Sequence, residues 1–280
     1  WTSPWGKTRF GRTPAGAWGA KFIDNTAQGD RLMIWLNMLP ENWGSLLFTQ
    51  HITEGDATNG ANISDQDNDG YYADLSYKAD FGKTTGAFFV VRRAASSASL
   101  TDNVTTSNFW LTGNYKWDAF AVQYELNLAF GDGLPEPGFT ESSDQEGWGF
   151  YVDANYKVQD WTLGGLFFTL SGDDDLTDNT NQALMSSAGT GIDFNPTQIL
   201  TGDYMGILNP DKGSVHPAIN ANGETNAGVW AIGGYAKYAM SPKMTLSADL
   251  TYAAATDEPQ DWDADYGTEF GLGLAYKIMD

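Results

Sequence analysis

The sequence predicts an all-β chain folded as a transmembrane, antiparallel, up-and-down β-barrel with about 12 strands. Three observations carry that prediction. Aromatic-apolar strands run down into Tyr and Lys and stop at a turn at Tyr77-Lys78, Tyr115-Lys116, Tyr156-Lys157 and Tyr276-Lys277, with Lys237-Tyr238 as a reversed fifth copy. The Lys-to-Lys spacings are 38, 41, 80 and 40 residues, a hairpin period with one interval doubled. Strict alternation of apolar and polar residues continues for about ten residues, the length that crosses a bilayer at a tilt and longer than an ordinary sandwich strand. The connections also alternate short and long, as they do in such barrels.

Taken in order, the pattern places strands at 5–12, 30–38, 43–53, 70–79, 82–93, 107–117, 119–130, 147–158, 160–171, 227–240, 243–255 and 264–278. The alternation is cleanest from Asn108 to Phe130: Phe109, Leu111, Gly113 and Tyr115 take one face, and Trp110, Thr112, Asn114 and Lys116 the other. Beyond the turn at 117–119, Phe120, Val122, Tyr124, Leu126 and Leu128 alternate with Gln123, Glu125 and Asn127. In 160–171 the run Leu166-Phe167-Phe168 blurs the two faces. Short turns fall near 39–42, 79–82, 117–119, 158–160 and 240–242, and long loops at 54–69, 94–106, 131–146, 172–225 and 256–263. The short side is expected at the periplasm and the long side outside the cell.

Composition agrees. The chain has 280 residues with 32 Gly, 11 Trp, 13 Tyr, 15 Phe and no Cys, so neither a disulfide scaffold nor a Cys-ligated metal centre can form. Mean hydropathy is −0.37 and no apolar run reaches 18 residues, which excludes a membrane helix but not a barrel, where only alternate residues meet lipid. Trp1-Thr2-Ser3-Pro4-Trp5 has neither the basic nor the apolar region of a signal peptide. The net charge of −21 sits mostly in the long loops. Acidic loops repel anions, which argues against nucleic acid and anionic lipid as partners of the loops. The chain stops at Ile278-Met279-Asp280, where a periplasmic turn would begin. The expectation is therefore that strands are missing and that residues 1–280 form one domain of a larger barrel of 14–18 strands, with a natural twelve-stranded barrel as the alternative.

Two segments carry a resemblance. Lys7-Thr8-Arg9-Phe10-Gly11-Arg12-Thr13-Pro14-Ala15-Gly16-Ala17-Trp18-Gly19 resembles the Gly-Arg strand end of bacterial porins and alginate-export-type barrels. Leu170-Ser171-Gly172-Asp173-Asp174-Asp175 resembles their passage from a strand into an acidic extracellular loop. The resemblance implies a Gram-negative outer-membrane barrel that contacts membrane lipids and lipopolysaccharide and lets small hydrophilic solutes or ions diffuse through. It also makes a homotrimer an expectation.

Inward-facing candidates for a pore lining are Arg31, Asp74, Lys78, Arg92, Lys116, Glu125, Asp153, Lys157, Asp249, Glu269 and Lys277. A lumen of mixed sign beneath an acidic mouth implies weak cation selectivity. The alternative is a structural barrel whose lumen is plugged or filled by a partner. Asp65-Gln66-Asp67-Asn68-Asp69-Gly70 matches the front half of a calcium loop, with Asp65, Asp67 and Asp69 as ligands. The Glu expected at its twelfth position is Ser76, so a solvated Asp-rich loop tip remains the other reading. The apolar residues Ile192, Phe194, Ile199, Leu200, Tyr204, Met205, Ile207 and Leu208 in 172–225 suit a loop that either folds inward or caps the barrel from outside. Catalysis is not expected, because His51 and His216 are the only histidines and neither has a partner motif.

Overall fold

The computed structural model describes residues 1–14, 22, 28–53, 68–93, 103–133, 141–173, 178–184, 200, 227–257 and 264–278. Among them lies one sheet of fifteen strands. The long ones are β2 (Gly6–Pro14), β3 (Gln28–Leu36), β4 (Trp43–Thr53), β5 (Asn68–Ala79), β6 (Gly82–Arg93), β7 (Val104–Trp117), β8 (Phe120–Gly133), β10 (Trp148–Val158), β11 (Trp161–Leu170), β13 (Val229–Ser241), β14 (Met244–Ala254) and β15 (Asp265–Tyr276). These twelve are the strands expected from the alternation. Three short pieces were not anticipated: β1 (Thr2–Ser3), β9 (Ser143–Gln145) and β12 (Thr180–Asn181). The long strands pair antiparallel with their sequence neighbours from β2 to β15, which makes a barrel-like meander. Among the described residues one parallel contact joins β9 to β12, tying the connection after β8 to the one after β11.

Tight turns set the register at one end. Asp80-Phe81 joins β5 to β6, so that Ala79 pairs with Gly82 and Lys78 with Lys83. Asp118 and Gln159, which open the next two short turns, have φ of 46° and 53°, in the left-handed region that tight hairpins demand. Because side chains alternate with period two, each fixed turn also fixes which residues face which way.

Burial separates the two faces. On β6 the residues Thr85, Ala87, Phe89 and Val91 are buried while Phe88 is exposed; on β8 Glu125, Asn127 and Ala129 are buried while Leu128 and Phe130 are exposed. The inward face is thus the one that buries carboxylates and amides, and the outward face is the one that exposes large apolar groups. A soluble sheet does the opposite. The ambiguous run in β11 resolves the same way, with Phe168 in the buried inward cluster and Phe167 outward beside Phe150, ring centroids 6.5 Å apart.

Phe22, in the connection between β2 and β3, is fully buried against Tyr151 of β10 and Phe168 of β11. In sheet order β10 stands six strand positions from β3. Phe22 therefore lies over the inward face, well away from the strand its connection leads into.

Candidate functional site: the inward face and its two ends

The inward face is divided in three. At the short-turn end stand lysines. Lys78 and Lys83 are direct cross-strand partners, Lys116 follows two residues beyond Asn114 (the partner of Lys83), and Lys157 pairs with Thr162, which pairs in turn with Lys237. Lys7 pairs with Trp35 and holds its Nζ 5.3 Å from that ring. Lys277 follows Tyr276 in the parity of inward Glu269 and Gly273, its backbone N–H donating to the carbonyl of Lys243. The turns beside them carry Glu41, Asp80, Asp118 and Asp160, so this rim is mixed in sign but rich in inward amines.

Lys78, Lys116, Lys157 and Lys277 stand where the Tyr-Lys repeat places them. Lys7, Lys83 and Lys237 were missed. For Lys83 the signal was the two-residue turn, which sets it opposite Lys78. Lys237 looked like a break in the repeat because it precedes Tyr238. Yet Tyr238 faces out against Trp161 at 4.7 Å, while Lys237 faces in, 5.2 Å from the ring of Tyr235. The order of the two residues is reversed and the faces are kept.

Outside the same rim lies a band of aromatic rings. Trp43 meets Tyr77 at 5.1 Å, Phe81 stacks on Trp117 at 5.4 Å, Trp117 stacks on Tyr115 at 5.5 Å and reaches Phe120 at 5.9 Å. Amphipathic rings at such a level are what a membrane–water interface favours. Higher on the outward face, Thr84 Oγ1 hydrogen-bonds the hydroxyls of both Tyr115 and Tyr124, so these polar atoms satisfy one another. The ring of Tyr124 lies over Gly113, where a Cβ would come within 2.4 Å of it.

The middle of the inward face carries two different walls. Across β3 to β7, Arg31 is buried with its Nε donating to Gln50 Oε1 at 2.7 Å and its guanidinium 5.2 Å from the Phe48 ring. Phe48 stacks on Tyr72 at 4.5 Å, and Phe89 on Trp110 at 5.8 Å. Asp74 accepts from the Tyr72 hydroxyl at 2.9 Å and from the backbone N–H of Leu46 at 2.7 Å. From β8 to β15 the wall is acidic. Glu125 is buried beside Asn127, which donates to it at 3.1 Å, and Asp153 accepts from the Tyr235 hydroxyl at 2.8 Å. Asp249 takes the space left by Gly271, where a Cβ would lie 2.5 Å from its carboxylate. Glu269 is buried and accepts from the backbone N–H of Leu200 at 2.9 Å.

Arg92 is the exception among the expected inward residues. It pairs with Asp69 and shares the outward parity of Phe88 and Val90, one residue out of step with buried Val91. Phe88-Phe89-Val90-Val91 hides the alternation. Of the calcium ligands, Asp65 and Asp67 lie outside the described residues, and Asp69 sits in β5 between His51 and Arg92 in register. Among the described residues no group of three His, Cys, Asp or Glu is placed to hold a metal ion, and the chain has no cysteine.

At the long-connection end, groups from the connections cover the acidic wall. Leu184, Leu200 and Phe22 are buried in one cluster with Tyr151, Phe168, Val229 and Tyr266. Gln145 Nε2 donates to the carbonyls of Asn181 and Ala183 at 3.0 and 2.9 Å, and the N–H of Leu184 donates to Ser171 O at 3.3 Å. Gly147 and Gly149 form the seat: a Cβ at Gly147 would lie 2.7 Å from Ala183 O and Leu184 Cα, and one at Gly149 2.6 Å from Leu184 Cδ2. Leu184 and Leu200 of 172–225 thus lie against the inward face, while Thr180 and Asn181 pair with the connection after β8. Leu200 was visible in the sequence as an apolar loop residue; the glycine seat carried no signal there.

The class that fold and faces define is an antiparallel, barrel-like β-meander with a polar inward face and an apolar outward one. Comparison with known proteins agrees at the level of fold. No family model and no curated protein matches the chain. Among solved structures it is similar to the outer membrane channel DcaP of Acinetobacter baumannii, at 12% identity over 95% of this chain and 70% of that one, with a TM-score of 0.54. OmpT of Vibrio cholerae in its trimer form matches at 12% identity over 98% of this chain and 77% of that one, with a TM-score of 0.44. The NanC porin matches at 8% identity over 89% and 93%, with a TM-score of 0.36. The last two superpose too loosely to add to the likeness with DcaP.

Proposed function

We propose that this chain spans a bacterial outer membrane and serves as a passive channel for small hydrophilic solutes or ions. One observation carries the reading: twelve strands of bilayer length bury charge on one face and expose apolar groups on the other, with aromatic rings along one rim. The water-filled path would be lined by Arg31, Asp74, Lys78, Lys116, Glu125, Asp153, Lys157, Asp249, Glu269 and Lys277, joined by Lys7, Lys83 and Lys237. Acidic long connections at one mouth make weak cation selectivity the expected bias. Membrane lipids and lipopolysaccharide are the expected surroundings, and a homotrimer the expected assembly.

A second reading, a structural barrel with a filled lumen, draws on a specific observation too. Phe22, Leu184 and Leu200 occupy the inward face at the long-connection end. Planar-bilayer recording separates the two. Stepwise single-channel currents with a reversal potential on the cation side support the channel. Insertion without current supports the filled barrel, and a reversal potential on the anion side would overturn the selectivity. Deleting 180–220 raises conductance if the seated segment narrows the path and leaves it unchanged if it does not.

A further inference from the structure

We propose that the outward face of β3 to β6 holds a binding site for a phosphate-bearing acyl lipid, with one acyl chain in an apolar groove and the phosphate against Arg92. The inference rests on the membrane-spanning reading above and adds to it a particular place and a particular lipid chemistry.

The groove is a depression of about 320 Å³. It is built from two cross-strand rows: Ile34, Leu47, Ala73 and Phe88 form the lower, and Leu32, Thr49, Tyr71 and Val90 the upper. Its depth has a local cause. Ala73 and Thr49 are small and stand among larger neighbours. Just below them the β4–β5 ladder is interrupted, because the Asp74 carboxylate takes the N–H of Leu46 and the Ser45 hydroxyl takes the carbonyl of Asp74. An apolar hollow on a face that meets lipid loses dispersion contacts unless something thin and flexible fills it.

The next row outward says what the filler carries. In register it runs Arg12, Asp30, His51, Asp69, Arg92, and on each of β3 to β6 it lies two residues beyond the upper row of the groove. Arg12, Asp30 and Arg92 are exposed. Two residues of strand measure roughly 7 Å, about the step from acyl boundary to headgroup level. Arg92 is a cation beside the groove, since Val90, two residues below it on the same face, lines the hollow. A guanidinium there offers a two-pronged donor suited to phosphate oxygens. Asp69 and Asp30 beside the arginines balance the row, so the site favours one phosphate at a defined position over a broad anionic surface. A second copy of this chain would need a flat area of about 800 Å² per partner, which a hollow capped by alternating charges does not provide.

The test uses the full chain reconstituted into vesicles, recovered in detergent and examined by native mass spectrometry after exposure to phosphatidic acid or to diacylglycerol with the same acyl chains. The expected result is at least about tenfold greater retention of phosphatidic acid, with the ratio lost in Arg92→Gln and both lipids lost in Ala73→Phe. Equal retention of the two lipids, or an unchanged ratio in Arg92→Gln, overturns the proposal. So does a wild-type chain that retains neither lipid but whose oligomeric mass falls in Ala73→Phe, which would assign the groove to a second copy. Arg92 is exposed, so its variant keeps the test decisive if Ala73→Phe does not fold. Failure of the wild type to insert into vesicles would remove the membrane reading and the site with it; insertion without lipid selectivity overturns the site alone.

Discussion

Gly147→Ala probes the seat of the inward segment. The new Cβ would lie 2.7 Å from Ala183 O and Leu184 Cα and 2.8 Å from Leu184 N, where ordinary contact begins near 3.4 Å, so the backbone of 183–184 must retreat by about 0.7 Å. These are backbone atoms with no side-chain torsion to turn. Gln145 Nε2 donates to Ala183 O at 2.9 Å and Leu184 N to Ser171 O at 3.3 Å, and the same shift carries both past hydrogen-bond range. At about 0.5–1.5 kcal/mol each, the segment loses roughly 1–3 kcal/mol against β10. A value near 2 kcal/mol corresponds to about thirtyfold faster exchange of the Leu184 amide. Gly149→Ala is the control. Its Cβ would meet the Cδ2 atoms of Leu184 and Leu170 and the Phe22 ring, side-chain ends that can give without moving the 183–184 backbone, so a smaller change at the Leu184 amide than in Gly147→Ala is expected. Hydrogen exchange of the chain in micelles, resolved by peptide, measures both. Unchanged protection at Leu184 in Gly147→Ala, or equal acceleration throughout β10, would refute the seat.

Other consequences follow from the two ends and the outward face. Replacing Lys78, Lys83 and Lys116 together by Gln should move the reversal potential further toward cations and reduce any current rectification, because three inward amines leave one rim; an unmoved reversal potential would mean ions do not pass them. Thr84→Val should destabilise the inserted protein by about 1–3 kcal/mol, read as a lower urea midpoint in vesicles, since the Tyr115 and Tyr124 hydroxyls lose their shared partner on the lipid side. If Asp65, Asp67 and Asp69 bind calcium, millimolar calcium should raise the melting temperature of the wild type but not of Asp67→Asn; no response would leave the solvated loop tip.

The strands were legible because period-two alternation survives whatever surrounds it, and all twelve long strands stand where the pattern put them. What failed was parity inside unbroken apolar runs. Phe88-Phe89-Val90-Val91 offers no polar marker, so Arg92 was read inward when the turn at Asp80-Phe81 counts it outward. Lys237 could have been rescued by the same counting, since Trp161 opposite Tyr238 fixes the outward face. The small pieces β1, β9 and β12 have no periodicity, being two or three residues long. The inward seat was illegible for a different reason: a glycine that makes room for a distant backbone looks like any strand glycine until the two segments meet.

The two readings of function turn on how far the seated groups obstruct the inward face, and here its division matters. The buried cluster that includes Phe22, Leu184 and Leu200 draws its strand residues from β8 to β15, whereas Tyr72, Phe89 and Trp110 belong to a separate cluster on β5 to β7. No residue is common to both. The described covering is therefore one-sided: it masks the acidic wall near the long connections and leaves the Arg31–Trp110 wall to its own packing. On the channel reading, a covering seated on one side narrows the path beside Glu269, whose carboxylate accepts the backbone N–H of Leu200. Deleting 180–220 should then raise a conductance that is already present, whereas a filled lumen passes no current before the deletion.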